Sequence, residues 1–123
     1  MKVKKLLIWL RSQVGKPYVW NSKGPNTWDC SGLVWGAFRL VGIDLPHGSY
    51  NQVKKGRKIP VEKAHAGCLV FKRSKTTGRV FHVAIVVANG QVCEARGKRF
   101  GVVERDFRPS EWSEARKIDA LYV

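Results

Sequence analysis

Apolar positions recur along this chain with two different periods. Between Lys2 and Val14, Val3, Leu6, Leu7, Leu10 and Val14 share one helical face with Lys and Arg opposite, which predicts an amphipathic helix closed by Gly15. Between Cys30 and Val41, Leu33, Val34, Ala37, Phe38 and Val41 form a second stripe with Cys30 at its head, Asp29 in the N-cap position and Gly42 at C′. Ser49 is a plausible N-cap for a short helix ending near Gly56. Beyond residue 66 the period falls to two. Gly67 to Phe71 reads as a short buried strand, Val80 to Val87 and Gln91 to Ala95 as a hairpin, and Phe100 to Val103 as a further strand. Pro109 to Ala115 reads as a loop or helical turn and Ile118 to Val123 as a final strand. Helices early and strands late predict an α+β domain with an antiparallel sheet.

The hairpin register decides which side chains share a face. A two-residue Asn89-Gly90 loop sets Ile85 opposite Glu94 and turns Glu94 away from His82. A three-residue loop, Ala88 to Gly90 with Gly90 in the left-handed region, sets Ala84 opposite Glu94. The second register is preferred because it sorts the residues: Val83, Ile85, Val87 and Cys93 form one apolar face, and His82, Ala84, Val86, Val92 and Glu94 the other. His82 and Glu94 then become diagonal neighbours, and the carboxylate can accept one imidazole N–H and fix the tautomer.

Length changes the picture little: 123 residues suffice for one domain, 1–123, and no run approaches a membrane span. Met1 to Leu10 imitates the basic and apolar regions of a signal peptide, but the apolar run stops at Arg11 without a cleavage site. Charge changes it more. A formal net charge of +14 draws the chain toward polyanions, whether nucleic acid, anionic lipid or wall polymer. Nucleic-acid binding is disfavoured because the aromatic residues gather near Cys30 rather than alternating with cations. Three cysteines with no paired spacing indicate neither a disulfide framework nor a metal knuckle; Cys68 and Cys93 fall in strand-like runs as core residues, and no cofactor is expected.

Cys30 is therefore the candidate for chemistry. A thiol in the first turn of a helix meets unpaired N–H groups and the positive end of the helix dipole, which favour thiolate. Packing as a small hydrophobe is the plain alternative, so a partner base must be found. His82, held by Glu94, is the first choice; His47, in a loop after Pro46, and His65, before a strand, are the rivals. The loop Gly15 to Thr27 is expected to pin Tyr18, Val19 and Trp20 near the start of the Cys30 helix, where the Tyr18 phenol either packs or reaches the sulfur.

Taken together, Gly15-Lys-Pro-Tyr18-Val-Trp20, Trp28-Asp29-Cys30-Ser31-Gly32-Leu33-Val34, Gly42-Ile-Asp-Leu45-Pro46, Gln52, Gly67-Cys-Leu-Val-Phe71, His82-Val-Ala-Ile85 and Asn89-Gly90 resemble the NlpC-type cell-wall cysteine peptidases over nearly the whole chain. The resemblance implies a papain-like α+β fold, the cysteine helix packed on an antiparallel sheet that carries the histidine. It implies hydrolysis of a peptide bond in the stem peptide of peptidoglycan, commonly that between D-glutamate and the following diamino acid. Carried over by position, Cys30 is the nucleophile, His82 the base and Glu94 the third polar residue. Tyr18 would help hold the oxyanion or substrate, and Asp29 and Ser31 would bind the free amine of a trimmed stem peptide. Departures are Glu94, where His, Asn or Gln is commoner, Cys68 in place of Asp, and Asn21-Ser22-Lys23 in a turn that is usually glycine-rich. The expected setting is a monomeric phage or prophage enzyme, delivered to the wall by holin release or on a phage tail, its partners peptidoglycan and anionic wall polymers. An N-acetylmuramoyl-L-alanine amidase with the same residues and a non-catalytic wall-binding module are the alternatives.

Overall fold

The computed structural model describes the backbone of residues 1–123 and every side chain but that of Asn89. Two longer helices, α1 (Lys2–Gln13) and α2 (Cys30–Leu40), and a single turn, α3 (Ser49–Gln52), precede most of the sheet. Six strands follow, β1 (Arg57–Ile59), β2 (Leu69–Arg73), β3 (Val80–Val87), β4 (Gln91–Ala95), β5 (Val102–Asp106) and β6 (Glu114–Lys117), in one antiparallel sheet ordered β1-β6-β2-β3-β4-β5. The α+β expectation holds.

Several boundaries differ from the pattern reading: the strand expected at Phe100 to Val103 runs Val102–Asp106, and the short helix ends at Gln52 rather than near Gly56. β1 lies in the basic stretch after Gly56, where exposed Arg57 and Lys58 hide the alternation; it exists because β6 offers it a ladder. β6 begins at Glu114, and the expected final strand at Ile118 to Val123 is instead a 3-10 turn, Asp119–Tyr122, that buries Leu121. Trp20 is 76% exposed and Val19 46%, so the loop from Gly15 pins Tyr18 alone of the three.

The hairpin takes the three-residue loop. Val87 pairs with Gln91, Val86 with Val92 and Ile85 with Cys93, and Gly90 carries φ +68°. Val83, Ile85, Val87 and Cys93 accordingly face the helices and pack with Leu6, Leu10, Leu33, Ala37 and Phe38 in the main core. Ala84, Val86 and Val92 face the other way and form a smaller cluster with Val70, Ala115 and Trp112. Cys68 and Cys93 are fully buried, Cys93 in the main core and Cys68 with its sulfur 3.6 Å from the Tyr122 hydroxyl.

α1 is tied to the loop that precedes α2. The buried Gln13 side chain accepts from Trp28 Nε1 at 2.9 Å and from Lys16 Nζ at 2.7 Å. Gly15 N donates to Val102 O, and Val102 N to Lys16 O, so the segment leading to Tyr18 lies alongside the start of β5.

Candidate active site

The head of α2 is built as its sequence suggests. Asp29 takes an extended conformation and its Oδ1 accepts from Gly32 N at 2.6 Å, capping the helix and directing Cys30 into the first turn. Gly32 is required here: a Cβ would stand 2.2 Å from the Ser22 carbonyl oxygen, which itself accepts from Asp29 N. Gln52, fully buried, donates to Ser31 O at 2.9 Å and Pro46 O at 3.0 Å, clamping α3 and the Pro46 loop to the same turn.

How a thiol on the helix side approaches a histidine on the other face follows from the sheet. Val86 N and O both bond toward β2, to Cys68 O and Gly67 N. By strand alternation the Val83 N–H points the opposite way, toward β4. There β3 and β4 have parted, since their pairing runs only from Val87↔Gln91 to Ile85↔Cys93. Cys30 packs against the cluster that contains Val83, the residue after His82, and the Val83 N–H favours its thiolate.

His82 is drawn to Glu94 across the same split, with Nε2 2.7 Å from Oε1. Glu94 is 1% exposed. Its other oxygen, Oε2, accepts from Arg105 Nε, and Arg105 Nη1 reaches Glu111 at 2.9 Å. Burial on its own would raise the Glu94 carboxyl, but hydrogen bonds from His82 and Arg105 outweigh it and hold the group below its ordinary 4.5. Trp112 lies nearly parallel to the imidazole, ring centroids 5.9 Å apart. With Nε2 engaged and one face covered, Nδ1 is the nitrogen left for a substrate or thiol; His82 forms no other hydrogen bond among the described residues.

The thiol itself departs from expectation. Burial pushes Cys30 up to about 11 and the nearby Asp29 charge adds to the rise, while N–H groups of Val83, Ser31 and Cys30 pull the other way. The helix-start amides act as anticipated, and desolvation is the larger effect. Tyr18 is raised by burial and by the neighbouring Cys30 and Asp29, which keeps its phenol protonated and a donor beside the sulfur.

Of the rival bases, His47 belongs to the head of α2: its Nε2 is 3.5 Å from both Ser31 Oγ and Asp29 Oδ1. Ser31 Oγ also donates to Asp29 Oδ1 at 3.3 Å, so Asp29, Ser31 and His47 form one polar cluster flanking the thiol. His65 is exposed, its Nδ1 3.0 Å from Lys63 O and its ring tilted against Tyr122, away from this assembly. The sequence reading missed Arg105 and Trp112. Arg105 pairs with Val92 across β4–β5 and is thus a diagonal neighbour of Glu94, a relation visible once β5 is extended to Asp106. Trp112 arrives through a turn at Pro109–Glu111 and had no local signal.

A cysteine at a helix head, a histidine on the adjoining strand and a carboxylate behind it coincide with a known pattern. Residues 15–119 match the NlpC/P60 family. The chain belongs to that family. It is 40% identical over 97 residues to the peptidoglycan endopeptidase RipA of Mycobacterium tuberculosis, covering 68% of this chain and 20% of that protein. To the probable endopeptidase p60 of Listeria grayi it is 36% identical over 86 residues, 70% of this chain and 16% of that one. The match thus spans a fifth or less of either relative. The solved NlpC/P60 domain of the peptidoglycan hydrolase SagA superposes with a TM-score of 0.83 at 29% identity, covering 94% of this chain and 98% of that domain.

Proposed function

We propose that this NlpC/P60 chain is a cysteine endopeptidase domain acting on the stem peptides of peptidoglycan, with Cys30 as nucleophile, His82 as general base and acid, and Glu94 as the residue that orients His82. The observation that carries the reading is an imidazole whose Nε2 is fixed by Glu94 at 2.7 Å, next in the chain to Val83, against whose cluster Cys30 packs from the head of α2. His82 Nδ1 takes the thiol proton, and the sulfur attacks the amide carbon. The new C–S bond leaves a tetrahedral oxyanion, which accepts from the Cys30 backbone N–H and the Tyr18 phenol. Collapse breaks the C–N bond, the amine departs with the proton from His82, and water, deprotonated by His82, releases the acid from the thioester. Asp29 and Ser31, on the thiol's flank, suit the free amine of a trimmed stem peptide, with His47 as their present neighbour.

The bond assigned is that between D-glutamate and the following diamino acid. The basic surface suits attraction to anionic wall polymers, and delivery as a phage endolysin or tail-associated lysin completes the reading. Digesting purified peptidoglycan and weighing the fragments tests it. Fragments ending at D-glutamate are expected from the native chain and none from Cys30→Ala or His82→Ala, each still folded. Undiminished release by either variant, or fragments ending at muramic acid, would overturn it.

A further inference from the structure

The reaction places two halves of the substrate on two sides of the site, and only the thiol side is accounted for above. The amine half leaves through His82, because that imidazole must protonate its nitrogen. Next to His82, and without Cys30 in its lining, is a depression of about 280 Å³ bounded by Lys72, Phe81, His82, Glu94 and Arg96. Its charge is positive. Glu94 is already answered by His82 and Arg105. Lys72 Nζ has Glu111 3.9 Å away, but Glu111 is engaged more closely by Arg105 at 2.9 Å. Arg96 has no carboxylate within ion-pair distance among the described residues. Its guanidinium lies 4.3 Å from the Phe100 ring centroid, and its backbone N donates to Gly101 O at 2.9 Å, so the cation is held at the rim of a tight turn. Phe81, 59% exposed, supplies an apolar wall.

We propose that this depression is a subsite for a carboxylate carried by the amine half of the substrate, bound by Arg96 and Lys72 close to the scissile nitrogen. The proposal rests on the peptidase reading and deepens it. A free carboxylate next to the released amine is bound by both cations, whereas an amidated one leaves them unanswered, so the subsite discriminates between free and amidated wall peptides at that position.

The test uses the tripeptide L-Ala-γ-D-Glu-L-Lys with a free C-terminal carboxylate and the same peptide with a C-terminal amide, each assayed for release of the last residue. The native chain is expected to favour the acid by roughly five- to tenfold in kcat/KM, as partly exposed charge-assisted contacts allow. In Arg96→Ala that ratio falls toward one through loss of the acid's advantage, Lys72→Ala lowers it further or alike, and Arg96→Lys restores part of it. Lys98→Ala, a cation of the same turn that does not line the depression, leaves the ratio where it was. A native ratio near one, or a ratio undiminished in both alanine variants, overturns the subsite while hydrolysis of both peptides leaves the peptidase reading standing. Failure to cut either peptide or peptidoglycan overturns that reading and the subsite with it.

Discussion

Replacing Glu94 with Gln separates charge from shape at the centre of the site. The amide keeps the volume of a side chain that is 1% exposed, but it brings an NH2 to a position where both oxygens now accept, one from His82 Nε2 at 2.7 Å and one from Arg105 Nε. With the NH2 turned toward Arg105, donor meets donor; turned the other way, the NH2 donates to Nε2 and imposes the tautomer that carries its proton on Nδ1, where no general base is left. Losing a charge-assisted hydrogen bond costs about 1.5–3 kcal/mol, and stranding a buried ion costs about 3–5 kcal/mol. Arg105 is 19% exposed and keeps Glu111 at 2.9 Å, so the lower range applies, about 2–3 kcal/mol. For a domain of this size that is a fall of roughly 10 °C in melting temperature. Turnover should fall further than stability does, by about a hundredfold or more, because the imidazole loses the partner that fixes its tautomer. Combining Glu94→Gln with Arg105→Met should return about 1–2 kcal/mol, since the second change removes the stranded cation. Thermal melts and peptidoglycan digestion at 25 °C read both effects. An unchanged melting temperature and turnover in Glu94→Gln would refute the claim that this carboxylate's charge organises the site.

Other outcomes follow from the same geometry. Alkylation of Cys30 by iodoacetamide should be slow at neutral pH and accelerate toward about pH 11, because burial disfavours the thiolate; a rate already at its plateau near pH 7 would show a preformed ion pair instead. Glu94 and Glu114 are both depressed below 4.5, by donors that outweigh burial: His82 and Arg105 for one, Arg73 and Arg116 for the other. Folded-state pKa values lying under the unfolded ones make their contribution full above about pH 5 and lost as pH falls through the folded values, so melts should be flat above that point and drop below it. Gly32→Ala should destabilise by about 1–3 kcal/mol and impair turnover, because its methyl group would displace the Ser22 carbonyl that anchors Asp29; a stable, fully active variant would refute the close approach.

The parts of the site that were legible from sequence are those set by local pattern. Asp29 and the stripe from Leu33 to Phe38 fix the helix and the direction of Cys30. The alternation around Gly90 fixes which face carries His82 and Glu94. What escaped depends on partners remote in the chain. β1 has no apolar alternation of its own and is a strand only because β6 pairs with it. Arg105 and Trp112 matter through contacts with Glu94 and His82 that no run of neighbours announces. The burial of the thiol escaped for a related reason: the helix-start amides are visible at Cys30, whereas the desolvation that works against them comes from packing against the core.

Because β6 lies between β1 and β2 yet follows β5 in the chain, β1 has no partner until residues 114–117 have been made. A growing polypeptide that has emerged only as far as β5 can form the four strands β2-β3-β4-β5, while β1 waits unpartnered. The same late stretch carries Trp112, the ring that braces His82. Closure of the scaffold and completion of the imidazole's surroundings therefore coincide, both waiting on residues 112–117, so a chain cut before them would hold the nucleophile helix without the finished base.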